Sequence, residues 1–98
     1  MHQFIVDFEL PEEFTEEFIS LIPEHRARID ELMENGMVLS YALSVDRTKV
    51  WATINAASEN EVIEIISTFP LINFMTATVY QLEFYNATGN GLPAISLN

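Results

Sequence analysis

The stretch Met37–Asn55, MVLSYALSVDRTKVWATIN, has the pattern of two strands joined by a short turn. Met37–Val45 is almost wholly apolar, Asp46–Lys49 is polar, and Val50–Asn55 contains β-branched and aromatic residues. Two strands with so short a connection are typical of an antiparallel β-hairpin. The hairpin decides the fold because a helical pattern lies on each side of it, and each helical pattern is bordered in turn by another strand.

On the amino-terminal side, residues 3–10, QFIVDFEL, alternate between apolar and other residues, which predicts a half-buried strand. The residues on its apolar face are Phe4, Val6 and Phe8. Pro11 ends this strand and suits the first turn of a helix that runs to Asn35-Gly36. Apolar residues follow each other in that helix at spacings of three and four. Pro23 is expected to kink it or to begin a second helix.

On the carboxyl-terminal side, Ser58 and Glu61 have the spacing of a capping box at the start of a second helix. This helix is predicted to bury Val62, Ile65, Ile66 and Phe69 and to stop at Pro70. Phe74–Phe84, FMTATVYQLEF, is predicted to be the last strand. Residues 86–98 form an irregular tail, whose apolar end is expected to lie against a surface such as that of a partner subunit.

The order β-α-β-β-α-β predicts an α+β, ferredoxin-like domain over residues 1–85, with both helices on one face of an antiparallel sheet. The other face should carry some of Ile5, Asp7, Glu9, Tyr41, Trp51, Thr53, Thr78 and Tyr80. Such a face is too apolar for open water, so we expect a homodimer in which two sheets pack as a barrel. Which face of strand 37–45 lines the barrel stays open, since both of its sides are apolar.

The composition excludes several classes of function. The 98 residues include 15 acidic and only 4 basic side chains, for a formal charge of −11. So negative a chain is unsuited to nucleic acid and to anionic membrane surfaces. The absence of Cys excludes a disulfide, a thiolate metal site and a Cys nucleophile. We expect a cytoplasmic protein, because the chain has neither a signal-peptide pattern nor an apolar run of membrane-spanning length.

Positive charge gathers in residues 23–32, PEHRARIDEL, which contain His25, Arg26 and Arg28. The cluster is either a solvated face that balances nearby acids or the lip of a site for an anion. His25 falls in a gap of the apolar helical stripe, where it is either a buried, hydrogen-bonded residue or a proton carrier. Arg28 has the spacing of a surface ion pair with Glu31 or with Glu24.

Three further residues are candidates for a site. Asp7 lies in mid-strand, where it is either a desolvated base with a raised pKa or an exposed carboxylate near the sheet edge. Tyr41 and Trp51 either line a cavity or fill the interface of the dimer. Two histidines far apart in the sequence do not have metal-ligand spacing, so no metal site is expected.

The segment Ser58–Met75, SENEVIEIISTFPLINFM, resembles the passage S-x-x-x-L-x-x-x-L-x-x-L-P-L-x-x-Y-M of muconolactone delta-isomerases. Its most distinctive part is Pro70-Leu71 followed by Phe74-Met75. Leu10-Pro11 also fits the family pattern, as does Leu32 with Gly36, and the resemblance covers residues 3–84.

The resemblance implies a ferredoxin-like barrel that assembles as dimers or larger rings. It also implies an enzyme without metal or cofactor, which shifts a double bond in an unsaturated lactone by removing and returning a proton. Such chemistry requires a base, an acid and a cationic or hydrogen-bonding partner. In this chain Arg26 would hold the substrate carboxylate, His25 or Asp7 would move the proton, and Tyr41 and Trp51 would shape the pocket.

The chain also departs from the family at two places. Its second strand, Val38–Leu43, lacks the Trp, Arg and His of the isomerases, and His25-Arg26 stands where the family has Glu followed by Lys. The alternative function is therefore that of a non-catalytic member of the fold, which binds a small ligand or serves as an oligomer.

Overall fold

The computed structural model describes residues 1–88, and the strands in them form one four-stranded antiparallel sheet in the order β2-β3-β1-β4. Two helices pack on one face of this sheet. The elements are β1 (His2–Glu9), α1 (Glu16–Glu34), β2 (Val38–Leu43), β3 (Lys49–Ala56), α2 (Glu59–Ile66), a 3-10 helix (Ile72–Phe74) and β4 (Thr76–Gln81). The predicted ferredoxin-like order is confirmed. The predicted packing of the tail concerns mainly residues 89–98, which lie outside the described residues.

The core lies between the helices and the sheet, and β1 supplies its centre. Phe4, Val6 and Phe8 are at most 1% exposed, as their alternation predicted. The ring of Phe69, just after α2, lies 5.8 Å from that of Phe8. Because β1 is hydrogen-bonded on both sides, by β3 and β4, its inward residues can contact both helices.

A register irregularity in β2 settles the face that the sequence left open. Val38 pairs with Ile54, but Ser40 pairs with Thr53, so β2 holds one extra residue between these pairs. An extra residue reverses the alternation of the strand beyond it. Val38 and Tyr41 therefore both face the helices, although they are three positions apart. Tyr41 is accordingly not on the outer face, where it had been a candidate.

The beginning of α1 differs from the prediction. The helix begins at Glu16 rather than in the turn after Pro11, because the Thr15 hydroxyl caps it by accepting a hydrogen bond from the Phe18 amide at 3.2 Å. The prediction of a start at Pro11 is wrong, since a side-chain cap outweighs the general suitability of Pro for a first turn. Pro23 lies inside one continuous helix, so no second helix begins there.

The end of α1 and the start of α2 have the predicted caps. Gly36 adopts the left-handed φ of 77° that favours glycine, and its amide donates to the Met33 carbonyl. Before α2, the Ser58 hydroxyl accepts from the Glu61 amide, while the Glu61 carboxylate accepts from the Ala57 amide at 2.6 Å. The last strand is shorter than predicted, because residues 72–74 form the 3-10 helix and β4 begins at Thr76.

The outer face of the sheet, opposite the helices, mixes aromatic and charged groups. Trp51 is 38% exposed and Tyr80 53% exposed. Lys49 donates to the Asp7 carboxylate at 2.9 Å and lies 3.6 Å from that of Glu9. Neither α1 nor α2 has the length and apolar content needed to cross a membrane, and this holds for residues 1–88.

The cap of α1 gives a direct test of where the helix begins. Replacing Thr15→Ala should lower the free energy of unfolding by about 1 kcal/mol, because the Phe18 amide loses its acceptor. Thr15→Ser keeps the hydroxyl acceptor, so it should lower the free energy of unfolding by only about 0.3 kcal/mol. Urea denaturation of the three proteins measures the difference; equal stability of the Ala and Ser variants would contradict the assigned cap.

Candidate functional site

A cleft of about 980 Å³ opens between α1 and the β2–β3 hairpin, on the helix-covered face of the sheet. Most of its wall is apolar and comes from the segment before α1, from α1 itself, from the hairpin and from the segment before β4. These apolar residues are Leu10, Phe14, Phe18, Ile22, Ile29, Met33, Leu43, Val50, Leu71 and Met75. Five polar or charged side chains complete the wall: His25, Arg26, Asp30, Tyr41 and Arg47. An apolar cleft with a few polar groups is the usual form of a small-molecule site.

His25 is the buried polar group of this wall, and it joins three separate segments. It is 3% exposed on the sheet-facing side of α1. Its Nε2 lies 2.6 Å from the Tyr41 hydroxyl on β2, and its Nδ1 accepts a hydrogen bond from the Leu71 amide at 3.3 Å. The ring also meets Phe69 edge-on, with 5.6 Å between the ring centroids. Both nitrogens of the imidazole are therefore engaged.

The two contacts of His25 determine where its proton lies. Nδ1 accepts from an amide, so it carries no hydrogen in the neutral ring, and the single N–H is on Nε2. Nε2 then donates to the Tyr41 oxygen. The hydroxyl hydrogen of Tyr41 has no acceptor among residues 1–88, and Tyr41 lines the cleft. We infer that this hydrogen is available to a ligand.

Burial keeps both members of this pair neutral over a wide range of pH. Desolvation lowers the pKa of His25 from 6.5 to about 4 and raises the pKa of Tyr41 from 10.0 to about 12. The sequence left two alternatives for His25, a buried and hydrogen-bonded residue or a proton carrier, and the structure has the first arrangement. In the structure His25 is a neutral hydrogen-bond donor at physiological pH and a weak base.

The positive cluster of residues 23–32 divides between the cleft and the surface. Arg26 lines the cleft. Arg28 points elsewhere, donating to Glu31 at 2.8 Å and to the Thr68 hydroxyl at 3.0 Å, which confirms the surface pair. Arg28 thus matches the surface interpretation of the cluster, and Arg26 is the arginine of α1 that lies at the cleft.

Two of the predicted site residues are not brought to this cleft. Asp7 and Trp51 are cross-strand neighbours on the outer face of the sheet, because β1 alternates and Val6 and Phe8 face the helices. Asp7 there pairs with Lys49. The structure thus places the sheet between Asp7 and His25, which the sequence had grouped as alternative proton carriers.

Sequence reasoning missed two residues that line the cleft, Asp30 and Arg47. Asp30 follows Arg26 by four positions, a spacing that places two side chains on the same face of a helix and that could have indicated it. Arg47 lies in the turn predicted between the two strands of the hairpin, and nothing local in the sequence relates it to α1. Within residues 1–88 no group of three or more His, Cys, Asp or Glu side chains is placed to hold a metal ion.

Comparisons with known proteins agree with this architecture. A family model described as muconolactone delta-isomerase matches residues 2–88. A crystal structure of muconolactone isomerase is similar at a TM-score of 0.68, with 14% identity over 98% of each chain. The 5-chloro-2-hydroxyhydroquinone dehydrochlorinase of Burkholderia phenoliruptrix AC1100, in complex with 2,5-dihydroxybenzoquinone, is similar at 0.65, with 14% identity over 89% of this chain and 95% of that one. No curated protein sequence matches the chain.

The lowered pKa of His25 predicts a specific loss of stability in acid. Between pH 6.5 and about 4 the unfolded chain protonates His25 while the folded chain does not, so the free energy of unfolding falls as the pH falls. Protonation of Nδ1 would also place an N–H donor opposite the N–H of Leu71, so the hydrogen bond between them would be lost. Between pH 7 and pH 5 this residue should account for a loss of about 2 kcal/mol.

Urea denaturation at both pH values measures this loss. The variant His25→Gln has no imidazole at this position. Between pH 7 and pH 5 its free energy of unfolding should therefore fall by about 2 kcal/mol less than that of the wild type. His2→Gln removes the exposed histidine and should behave as the wild type. An identical pH dependence of His25→Gln and wild type would show that His25 is not held neutral by burial.

Proposed function

The chain belongs to the muconolactone delta-isomerase family, and we propose that it is a cofactor-independent isomerase that moves a proton within a small anionic unsaturated lactone or acid. The observation that carries the proposal is the Tyr41 hydroxyl, held by His25 at the wall of a cleft that Arg26 also lines. This arrangement supplies a fixed donor for an oxygen that gains charge and a cation for a carboxylate.

Tyr41 is proposed to stabilise the intermediate. Removal of a proton from the carbon next to a carbonyl sends the electron pair of the C–H bond towards the carbonyl oxygen, which becomes an enolate oxygen. A donor already aimed at that position stabilises this charge without reorganising. His25 donates to the Tyr41 oxygen, which orients the hydroxyl and strengthens it as a donor. His25 is thus a positioning residue rather than the base.

Asp30 is proposed as the base. It is the one carboxylate among the cleft-lining residues of the described chain. In the proposed reaction its carboxylate takes the proton from carbon and returns it to another carbon of the conjugated system, so that the enzyme ends in its starting state. Arg26, four residues earlier on α1, is proposed to hold the substrate carboxylate.

The structural relatives support the size and kind of the ligand. The dehydrochlorinase with the similar fold was crystallised with 2,5-dihydroxybenzoquinone, a small ring that carries oxygen atoms on both sides. The cleft of this chain has room for such a ring and has apolar walls for its faces. Both points favour a small oxygen-bearing cyclic ligand.

The alternative function is that of a protein that binds a small ligand without converting it. It is favoured by the composition of β2, whose one cleft-facing polar group is Tyr41, and by the low basicity of His25. Under this alternative, the variants that remove Arg26 or Tyr41 weaken binding, and no turnover is found with any lactone.

Ultraviolet absorbance with muconolactone as substrate tests the proposed reaction. Asp30→Asn should lower kcat by about 100-fold or more, because the base is lost. Tyr41→Phe should lower kcat by a similar factor, because the enolate loses its donor. Arg26→Gln should mainly raise KM.

Arg28→Gln is the matched control, since it removes the same charge from the same helix outside the cleft, and it should retain full activity. Thermal unfolding establishes that each variant is folded. If the wild type at high enzyme concentration does not turn over muconolactone, then muconolactone is not its substrate. If Asp30→Asn is as active as wild type, the assignment of the base is wrong.

The homodimer expected from the sequence also stays a proposal. It is supported by the exposure of Trp51 and Tyr80 on the outer face of the sheet, which a second sheet would cover. Light scattering should give twice the chain mass of 11.2 kDa, or a larger even multiple. Trp51→Glu should lower the mass, whereas Ile19→Glu, on the exposed side of α1, should not. A monomeric wild type would refute the dimer.

A further inference from the structure

We propose that the cleft selects ligands with two separated anionic groups, one bound by Arg26 and the other by Arg47. The inference rests on the proposed function for the location of the site, and it goes further by adding Arg47 and by defining the charge of the ligand. Arg26 lies on α1, whereas Arg47 lies on the turn between β2 and β3. The two cations therefore approach the cleft from different elements.

The distribution of positive charge is the first argument. The chain has only four Lys and Arg residues. Two are used in ion pairs away from the cleft: Arg28 with Glu31, and Lys49 with Asp7 and Glu9. The other two form no salt bridge within residues 1–88, and both line the same cleft. In a chain with 15 acidic residues, two arginines without acidic partners at one place indicate a binding site for anions.

The charge of the cleft itself is the second argument. Its lining holds two arginines and one carboxylate, Asp30, so its formal charge is +1, against −11 for the whole chain. His25 adds no charge, because burial keeps it neutral. Each of the two guanidinium groups presents a fork of N–H donors that can hold one anionic group of the ligand.

The backbone at Arg47 is the third argument. Its φ of 63° is the left-handed conformation, which residues other than glycine, asparagine and aspartate seldom adopt. The turn is held in place by Asp46, which accepts from the Ser44 hydroxyl at 2.8 Å and from the Thr48 hydroxyl at 2.7 Å. The Thr48 carbonyl accepts from the Leu10 amide, which ties the turn to the end of β1. Non-glycine residues in this conformation occur often at functional sites, and Arg47 is one that also lines the cleft.

Two acids that differ only in one carboxylate test the proposal by calorimetry. The probes are trans,trans-muconate, a six-carbon diene with a carboxylate at each end, and sorbate, the same diene with one carboxylate. Wild type should bind muconate at least about tenfold more tightly than sorbate, because a second charge-assisted pair forms. Added salt should reduce this preference, since both pairs are near the surface.

The variants identify the residues that produce the preference. Arg47→Asn removes the charge and keeps a residue that tolerates the left-handed backbone, and it should bring the muconate-to-sorbate ratio close to one. Arg26→Gln should do the same. Arg28→Gln, which lies outside the cleft, should keep the ratio of the wild type. Thermal unfolding of each variant shows whether it is folded, and Arg47→Lys should restore part of the preference if the first variant is unstable.

The outcomes separate this proposal from the proposed reaction. A preference for muconate that Arg47→Asn abolishes supports the two-cation site even if muconolactone is not turned over. No binding of muconate by the wild type, or equal affinity for the two acids, overturns it even if the isomerase assay succeeds. A preference that keeps its wild-type size in a folded Arg47→Asn shows that Arg47 does not contact the second carboxylate.

Discussion

One imidazole connects three of the segments that line the candidate site. His25 on α1 donates to the Tyr41 hydroxyl on β2 and accepts from the amide of Leu71, which follows α2. A buried imidazole without these partners would carry unsatisfied polar atoms, which cost stability. The same bonds fix the tautomer and leave the Tyr41 hydroxyl hydrogen without an acceptor among residues 1–88, while burial suppresses the charge of the ring. The proposed chemistry therefore depends on the contact between His25 and Tyr41.

The extra residue in β2 allows the Tyr41 side chain to reach His25. With regular alternation, Val38 and Tyr41 would lie on opposite faces of the sheet, because they are three residues apart. The extra residue between the pairs Val38–Ile54 and Ser40–Thr53 brings both to the helix side. Val38 then fills the core, and Tyr41 reaches His25 at the edge of the core. Irregularities of this kind often redirect a side chain near an active site.

Whether a cationic side chain of this acidic chain lines the cleft or pairs on the surface depends on the fold, not on its nearness to another cation in the sequence. Arg26 and Arg28 are two residues apart, yet the first lines the cleft and the second pairs with Glu31 on the surface. Positions two apart on a helix point about 200° from each other, so they seldom serve the same site. Arg26 instead shares the cleft with Arg47, which the chain brings back through β2 and the following turn. The proposed anion site is thus a product of the fold.

The sequence by itself determined the order of the elements, the inward face of β1, the caps at Gly36 and Ser58 and the resemblance to the isomerases. These features are encoded by period, spacing and local hydrogen bonding, which act over a few residues. Only the tertiary structure decided that Tyr41 faces His25, that Asp7 lies across the sheet and that Arg47 joins Arg26. The physical reason is that each of these outcomes depends on register and packing between segments distant in the chain. A bulge in one strand leaves almost no mark on local composition. The cap at Thr15, by contrast, is a local feature that the emphasis on Pro11 passed over.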